Sequence, residues 1–388
     1  MVAVPDIDAE DIPFHRPDIG EREIAAATDC LRSGWLSTGP RCAELERHFA
    51  EHFGRPSITV NSATSGILVV LAALGIGPGD QVVVPTLTFT SAAMMVRHLG
   101  AEVVWCDIDG DTLNASAQTI APSITERTKA VIVTHYGGGP ADMRAIDALA
   151  RDRGILVVED AAHAMGAVYM GREVGALDST ATVFSFYSTK PVAAGEGGLV
   201  TTPDHDLAEL CRKLRLHGIG RDAWERSREH STAWSYDVVA AGYKANMSDL
   251  TASIVAVQAD RRSSMQARRS RIAAIYRDLM VGHPDIRLPE PLPGCILAWH
   301  LYPVQVPAER RDGLIRAMGD QGIQCSVHYK PLHQMTFWRD DTATAATGYP
   351  IAERAWQSLI SLPIYPGLTD AQAKRIGRTL LDLLSRAI

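Results

Sequence analysis

Between residues 55 and 220, short apolar runs punctuated by glycine, proline and small hydroxyl residues alternate with stretches of helical spacing, and nothing else in the chain constrains its fold as tightly. The runs predict strands at 58–60, 81–85, 103–107, 129–134, 155–158, 182–186 and 199–202. Helices are expected between them at 67–74, after residue 91, at 143–153 and at 206–216. A run such as Ile155-Leu-Val-Val158 has no polar side to turn to water, so it must be covered on both faces, as strands of a parallel sheet are. This alternation predicts an α/β fold on a mostly parallel sheet.

The flanks read differently. Residues 1–13 are expected to be a loose tail and 14–20 an extended segment, followed by helices at 21–33 and 42–53 around the turn-rich loop Gly34-Trp-Leu-Ser-Thr-Gly-Pro40. Residues 223–240, polar and rich in Trp, Arg and Ser, read as a surface excursion. Ser248 is placed to cap a long helix running from Asp249 to about residue 280. Beyond it, strands at 301–306 and 324–328 and helices at 309–321, 351–359 and 370–385 predict a smaller α+β unit. The expected division is 1–264 for an N-terminal arm and large domain and 265–388 for a small C-terminal domain.

Composition bounds the function. With 46% hydrophobic and 21% charged residues the chain reads as an ordinary soluble globular protein, and a net charge of −7 argues against a general nucleic-acid binder. No apolar run approaches the length of a membrane span, and the acidic N-terminus lacks the features of a signal peptide. The six cysteines form no Cys-x-x-Cys pair and no Cys/His metal pattern, so the expectation is a cytoplasmic protein with reduced thiols and no metal.

Three segments carry chemistry. The run Val183-Phe-Ser-Phe-Tyr-Ser-Thr-Lys-Pro191, followed by Ala194-Gly-Glu-Gly-Gly198, places Lys190 on a short loop at a strand end. An amine there can be desolvated, lowered in pKa and made to form a Schiff base; a solvated loop lysine is the plain alternative. Asn61-Ser-Ala-Thr-Ser-Gly66 opens a helix and suits either a phosphate or simple capping by Ser62 or Thr64. Asp160 sits at the carboxyl end of its strand, where open α/β sheets bind ligands. Burying a carboxylate needs a partner, which a protonated pyridine nitrogen, a structural hydrogen bond or a helix cap would each provide. His163 suits the same ligand or the core, and Phe89 the core or the face of a ring. Neither Gly75-Ile-Gly-Pro-Gly79 nor Gly218-Ile-Gly220 has the strand-to-helix setting of a nucleotide fingerprint. The glycines of His135-Tyr-Gly-Gly-Gly-Pro140 serve turning and close approach. Of the six lysines, Lys190 is the best placed to form a Schiff base with pyridoxal phosphate.

With these residues in view, the chain resembles the DegT/StrS family of sugar aminotransferases, pyridoxal-phosphate enzymes of fold type I, from Phe14 to the C-terminal helix. The likeness is carried by the 34–40 loop, the 61–66 turn, Glu159-Asp-Ala-Ala-His163, the run from Ser185 to Lys190, Gly242-Tyr-Lys-Ala-Asn246 and Ser361-Leu-Pro-Ile-Tyr-Pro366. It implies an aspartate-aminotransferase-like fold with a mostly parallel large domain and a small α+β domain. It implies Lys190 as the covalent lysine and proton shuttle, Asp160 as partner of the ring nitrogen and His163 beside the cofactor. Phe89 falls where the family stacks an aromatic on the ring, and Ala63, Thr64 and Ser185 fall at phosphate-binding positions. Asn246 matches an asparagine that reaches the neighbouring subunit's phosphate, which implies an obligate homodimer with shared sites. Ser62-Ala-Thr64, where many members read Ser-Gly-Thr, and Tyr187-Ser-Thr189 are mild departures.

Within the family, Ser62-Ala-Thr64, His135-Tyr-Gly-Gly-Gly-Pro-Ala-Asp142 and Glu159-Asp-Ala-Ala-His163 are most similar to enzymes aminating UDP-4-keto-arabinose and related 4-keto sugars. The implied reaction moves an amino group from L-glutamate to C4 of a nucleotide-linked keto-deoxy sugar, by a ping-pong exchange between pyridoxal and pyridoxamine phosphate. The substrate is expected near Trp35 of the 34–40 loop, with His328 as a second contact. The competing expectations are a dehydratase or deoxygenase of the same fold, and a regulatory protein without turnover.

Overall fold

The computed structural model describes residues 11–220, 234–341 and 348–386. Its centre is a seven-stranded sheet of β1 (Ser57–Val60), β2 (Gln81–Pro85), β3 (Glu102–Cys106), β4 (Thr128–Thr134), β5 (Leu156–Asp160), β8 (Ala181–Ser185) and β9 (Gly198–Thr201). The order is β1-β9-β8-β5-β4-β2-β3, and β9 runs antiparallel to both of its neighbours while the other pairings are parallel. Two-residue strands β6 (Val168–Tyr169), β7 (Arg172–Glu173) and β10 (Cys295–Ile296) form a small side sheet, and β11 (Tyr302–Gln305) pairs with β12 (Leu359–Leu362).

The strands are rich in apolar residues because each face of the sheet feeds a different core. Val82, Val84, Ile132, Val158 and Val183 point into one, packed under helices Ala63–Ala73, Ser91–His98 and His205–Leu214. Their chain neighbours Val83, Val131, Val133, Val157 and Phe184 point into the other, with helices Pro40–Phe53 and Met143–Arg153. Period-two side-chain alternation thus becomes a doubly covered sheet, as the apolar runs require. The helix Asp249–Met280, about 48 Å long at 1.5 Å per residue, is capped by Ser248, whose Oγ accepts from Thr251 N–H at 3.1 Å. Its first half enters the second core through Ala252, Val255 and Ala259. Its second half enters a third core through Ile272, Ala273, Tyr276 and Met280, together with β11, β12 and helices Ala308–Asp320 and Asp370–Ser385. We propose the division of the chain at 264/265 on the strength of this third core.

Two expectations need correction, and one strand is added to the expected elements. Residues 324–328 form no strand: Ile12 pairs with Ile323 and Ser361 with Ser326, one bridge each, so no ladder propagates. The expected helix 351–359 is Pro350–Ser358, and the apolar run that follows it is β12, drawn out by pairing with β11. The tail is anchored at its end, since Ile12 is buried and exchanges backbone hydrogen bonds with Gly322 and Gln324. Of the expected excursion 223–240, residues 223–233 lie outside the described residues; Trp234, Tyr236, Val238 and Val239 beyond them are exposed. Among the described residues no helix is long and apolar enough to cross a membrane.

Candidate active site

Parallel strands send their carboxyl ends to one edge of the sheet, and the loops that leave them enclose a cleft of about 580 Å³. β1 delivers Ser62, Ala63 and Thr64; β2 delivers Thr88 and Phe89; β5 delivers Asp160 and His163; β8 delivers Ser185 and Lys190. β5 and β8 are adjacent, with Asp160 in register with Val183, so the strand-end carboxylate and the lysine loop meet. From the C-terminal region come His300, Ser326, His328 and Tyr329, and from the N-terminal arm Phe14.

The Lys190 loop is closed by its own backbone. Lys190 N–H donates to Tyr187 O at 2.9 Å, Ser188 N–H to Gly195 O at 3.0 Å and Ala194 N–H to Phe186 O at 2.8 Å. The side chain keeps some exposure to the cleft, but its amine is ringed by protein, and this desolvation lowers its pKa to about 8 against the opposing pull of Asp160. Asp160 is buried, and burial raises its pKa; the Ala162 N–H, 3.2 Å from Oδ1, and the Lys190 charge offset only part of that.

Aromatic and imidazole groups line the remaining wall. His163 accepts the Gly137 N–H at Nδ1 (3.3 Å), which leaves Nε2–H to donate to Tyr329 Oη at 3.2 Å. Burial holds His163 well below its usual pKa, and burial likewise takes His328 to about 4, so both rings are neutral at physiological pH. His328 is further fixed by Ser361 Oγ at 2.9 Å from Nδ1 and by stacking on Phe14. Phe89 stands at the mouth, 55% exposed, with its ring centroid 6.0 Å from that of Tyr329.

The helix start is equally prepared. Ser62 Oγ accepts Ser65 N–H at 3.1 Å, which leaves the N–H groups of Ala63 and Thr64 without an intrahelical acceptor. β9 passes directly beneath: a Cβ on Gly198 would lie 2.8 Å from Ala63 N and from Phe184 O, so only glycine allows the turn to sit so low.

Two of the expected residues lie elsewhere in the chain. Asn246 donates to Thr38 Oγ1 at 2.6 Å and borders a separate hollow with Arg212, Lys213 and Arg215, its Oδ1 buried without a partner. Trp35 donates from Nε1 to Thr38 O at 3.2 Å on that same side. His300 and Tyr329 belong to the cleft although the motifs do not single them out. The signal for His300 was an imidazole inside the otherwise apolar run Ile296-Leu-Ala-Trp-His-Leu-Tyr302.

Comparison with known proteins agrees with this geometry. Residues 17–381 match the DegT/DnrJ/EryC1/StrS aminotransferase family. The chain belongs to that family. SpsC, a spore coat polysaccharide biosynthesis protein of Bacillus subtilis, is 39% identical over 97% of this chain and 98% of its own. The aminotransferase TlmJ from Streptoalloteichus hindustanus superposes with a TM-score of 0.90 at 35% identity, covering 97% of this chain and 99% of that one. Spr1654 from Streptococcus pneumoniae, described as a putative sugar aminotransferase, is known in PMP and PLP forms; the PMP form superposes at 0.90 with 32% identity over 97% of this chain and 99% of that one. DegT/DnrJ/EryC1/StrS membership makes the chain a pyridoxal-phosphate-dependent aminotransferase of fold type I. The residues present fit that cofactor: a lysine amine of lowered pKa, a buried carboxylate with a single backbone donor, and a helix start with unused N–H groups.

Proposed function

We propose that the chain transfers an amino group from L-glutamate to the keto carbon, at C4, of a nucleotide-linked keto-deoxy sugar of the UDP-4-keto-arabinose kind. The observation that carries the sugar reading is the lining of the cleft: ten of its twenty residues bear a hydroxyl, among them Thr88, Ser91, Tyr187, Ser326 and Tyr329. Such a wall offers both donors and acceptors to a polyhydroxylated substrate. The names of SpsC and Spr1654, a polysaccharide biosynthesis protein and a putative sugar aminotransferase, support the same substrate class.

In this reading Lys190 is the attachment point of the cofactor and the base, and burial brings the pKa of its amine to about 8, closer to neutral pH than that of an ordinary lysine. When bound, the cofactor draws electrons from the carbon that exchanges its amino group. Asp160 would partner the ring nitrogen, Phe89 would stack on the ring, and His163, braced by Tyr329, would stand beside it. Ala63, Thr64 and Ser185 hold the phosphate. Lys190, which lines the cleft, would take up and return at Nζ the proton of the substrate carbon. His328 lies within reach of the sugar.

The position of Asn246 beside a separate hollow, outside the cleft of its own chain, supports an obligate homodimer in which its amide N–H group completes the partner's phosphate site. Trp35 would approach the same shared cleft. The test is incubation of the purified protein with L-glutamate and a panel of 3-keto and 4-keto sugar nucleotides, followed by mass spectrometry and NMR of the products. Amination at C4 is expected; turnover only with 3-keto sugars, or only with simple keto acids, contradicts the proposal.

A further inference from the structure

The turn after β4 brings a second imidazole to the lysine. Ala298 N–H donates to Gly138 O at 2.9 Å and Leu301 N–H to Gly137 O at 3.1 Å, which pins residues 298–301 against the Gly137–Gly139 turn. The approach needs glycine: a Cβ at Gly138, where φ is +93°, would lie 2.7 Å from His163 O and 3.0 Å from Ala298 Cβ. Held there, the His300 ring lies 4.3 Å from that of His163, and its Nε2 lies 3.5 Å from Lys190 Nζ, at the long end of hydrogen-bond range. Only 7% of His300 is exposed, and its Nδ1 is buried with no partner. Leaving a buried polar atom unpaired is costly, so the ring's place is explained by what its other nitrogen does.

We propose that His300 is a positioning residue for Lys190: its neutral imidazole accepts a hydrogen bond at Nε2 from Nζ–H, fixing the direction of the amine and favouring its protonated form. Burial, then the charge of Lys190, holds His300 well below its usual pKa, so the ring is an acceptor when the amine is charged. The other groups facing the amine are Asp160 from β5, His163 beyond it, His328 and Tyr329 from the C-terminal region, His15 from the N-terminal arm and, behind His15, Arg269 of the long helix. Asp160 supplies attraction through its charge, whereas His300 supplies direction through its ring nitrogen. A long flexible lysine that must take a proton from one carbon and return it to another gains from such a tether.

The inference rests on Lys190 being the reactive amine, and its test separates the two. Full-length protein freed of cofactor is treated with trace acetic anhydride across about pH 6–11, and acetylation of the Lys190 peptide is followed by mass spectrometry. Wild type is expected to give a midpoint near 8. His300→Phe, which deletes the acceptor, is expected to lower that midpoint by about one unit, and His300→Gln, which keeps an acceptor, to stay near wild type. Should the phenyl ring disturb folding, judged by circular dichroism, His300→Leu makes the same deletion with less volume. Reloaded with pyridoxal phosphate, the deletion variants should exchange amino groups about 10–100-fold more slowly, with the acid limb of the rate profile moved the same way. An unmoved midpoint in a folded deletion variant overturns this inference alone. A wild-type Lys190 that neither titrates below the other lysines nor binds the cofactor overturns both it and the function it rests on.

Discussion

Two buried carboxylates sit side by side on β5 and have opposite surroundings. Glu159 points into the protein, where His135 Nε2–H donates to it at 2.7 Å, Thr182 Oγ1 at 2.7 Å, and Ser179 Oγ also donates. Burial pushes its pKa up, but these hydrogen bonds outweigh it and leave the carboxyl below its usual range. Asp160, one residue on and turned to the cleft, has one backbone donor, and burial wins. Strand alternation alone puts the two on opposite sides. The first is a closed structural cluster; the second is held short of partners beside the lysine. A buried charge that the fold satisfies stabilises the fold, and one that it leaves unsatisfied waits for a ligand.

Substitutions can break this contrast, and the largest effect is expected at the lysine. Lys190→Ala should slow amino transfer by about 10⁴-fold or more and abolish the covalent link to the cofactor while the protein stays folded; retained turnover would show that another amine does the work. Asp160→Asn should cost about 10²–10³-fold in rate, through loss of the ring-nitrogen partner. It should not cost stability. With its folded pKa raised, Asp160 contributes stability that is present below the ordinary aspartate range and lost as pH rises through the folded value. At neutral pH the cofactor-free Asn variant should therefore unfold at equal or higher denaturant than wild type.

Glu159→Gln should do the reverse, destabilising by about 3 kcal/mol with rate per folded molecule little changed. Because its folded pKa is lowered, the stability it contributes is present above the ordinary glutamate range and is lost as pH falls through the folded value. Denaturant curves of wild type and variant should converge on acidification, and parallel curves would contradict the assignment. The smallest effect is expected at Asn246→Ala, a several-fold weaker hold on cofactor, on the order of 1 kcal/mol for one lost hydrogen bond. Mixing it with Lys190→Ala should regain activity if sites are shared, since each mixed dimer then holds one complete site.

The contrast also shows what could be read from sequence. The apolar run before Glu159 and Asp160 marked a strand covered on both faces, and Asp160 at its end marked the ligand edge, because both are local patterns. The capped start of Asp249–Met280 was legible for the same reason. Tyr329 was not, and His300 showed locally just as an imidazole in an apolar run, because what makes both matter is proximity to residues more than a hundred positions away. β12, which begins where the expected helix ends, was not legible, because so short an apolar run declares itself a strand only through its pairing with β11. The glycines at 137–139 were legible as a close approach, but not what approaches. The proposed reach of Asn246 to a second copy of the chain came from the resemblance alone, since no local pattern points across a subunit boundary.

The central claim is that Lys190 carries the cofactor, and the most direct test is the visible spectrum of the purified protein before and after L-glutamate, followed by borohydride reduction and peptide mapping. A yellow band that bleaches with glutamate, with the reduced label on the Lys190 peptide, is the predicted result. No band after adding pyridoxal phosphate, or a label on another lysine, would contradict it.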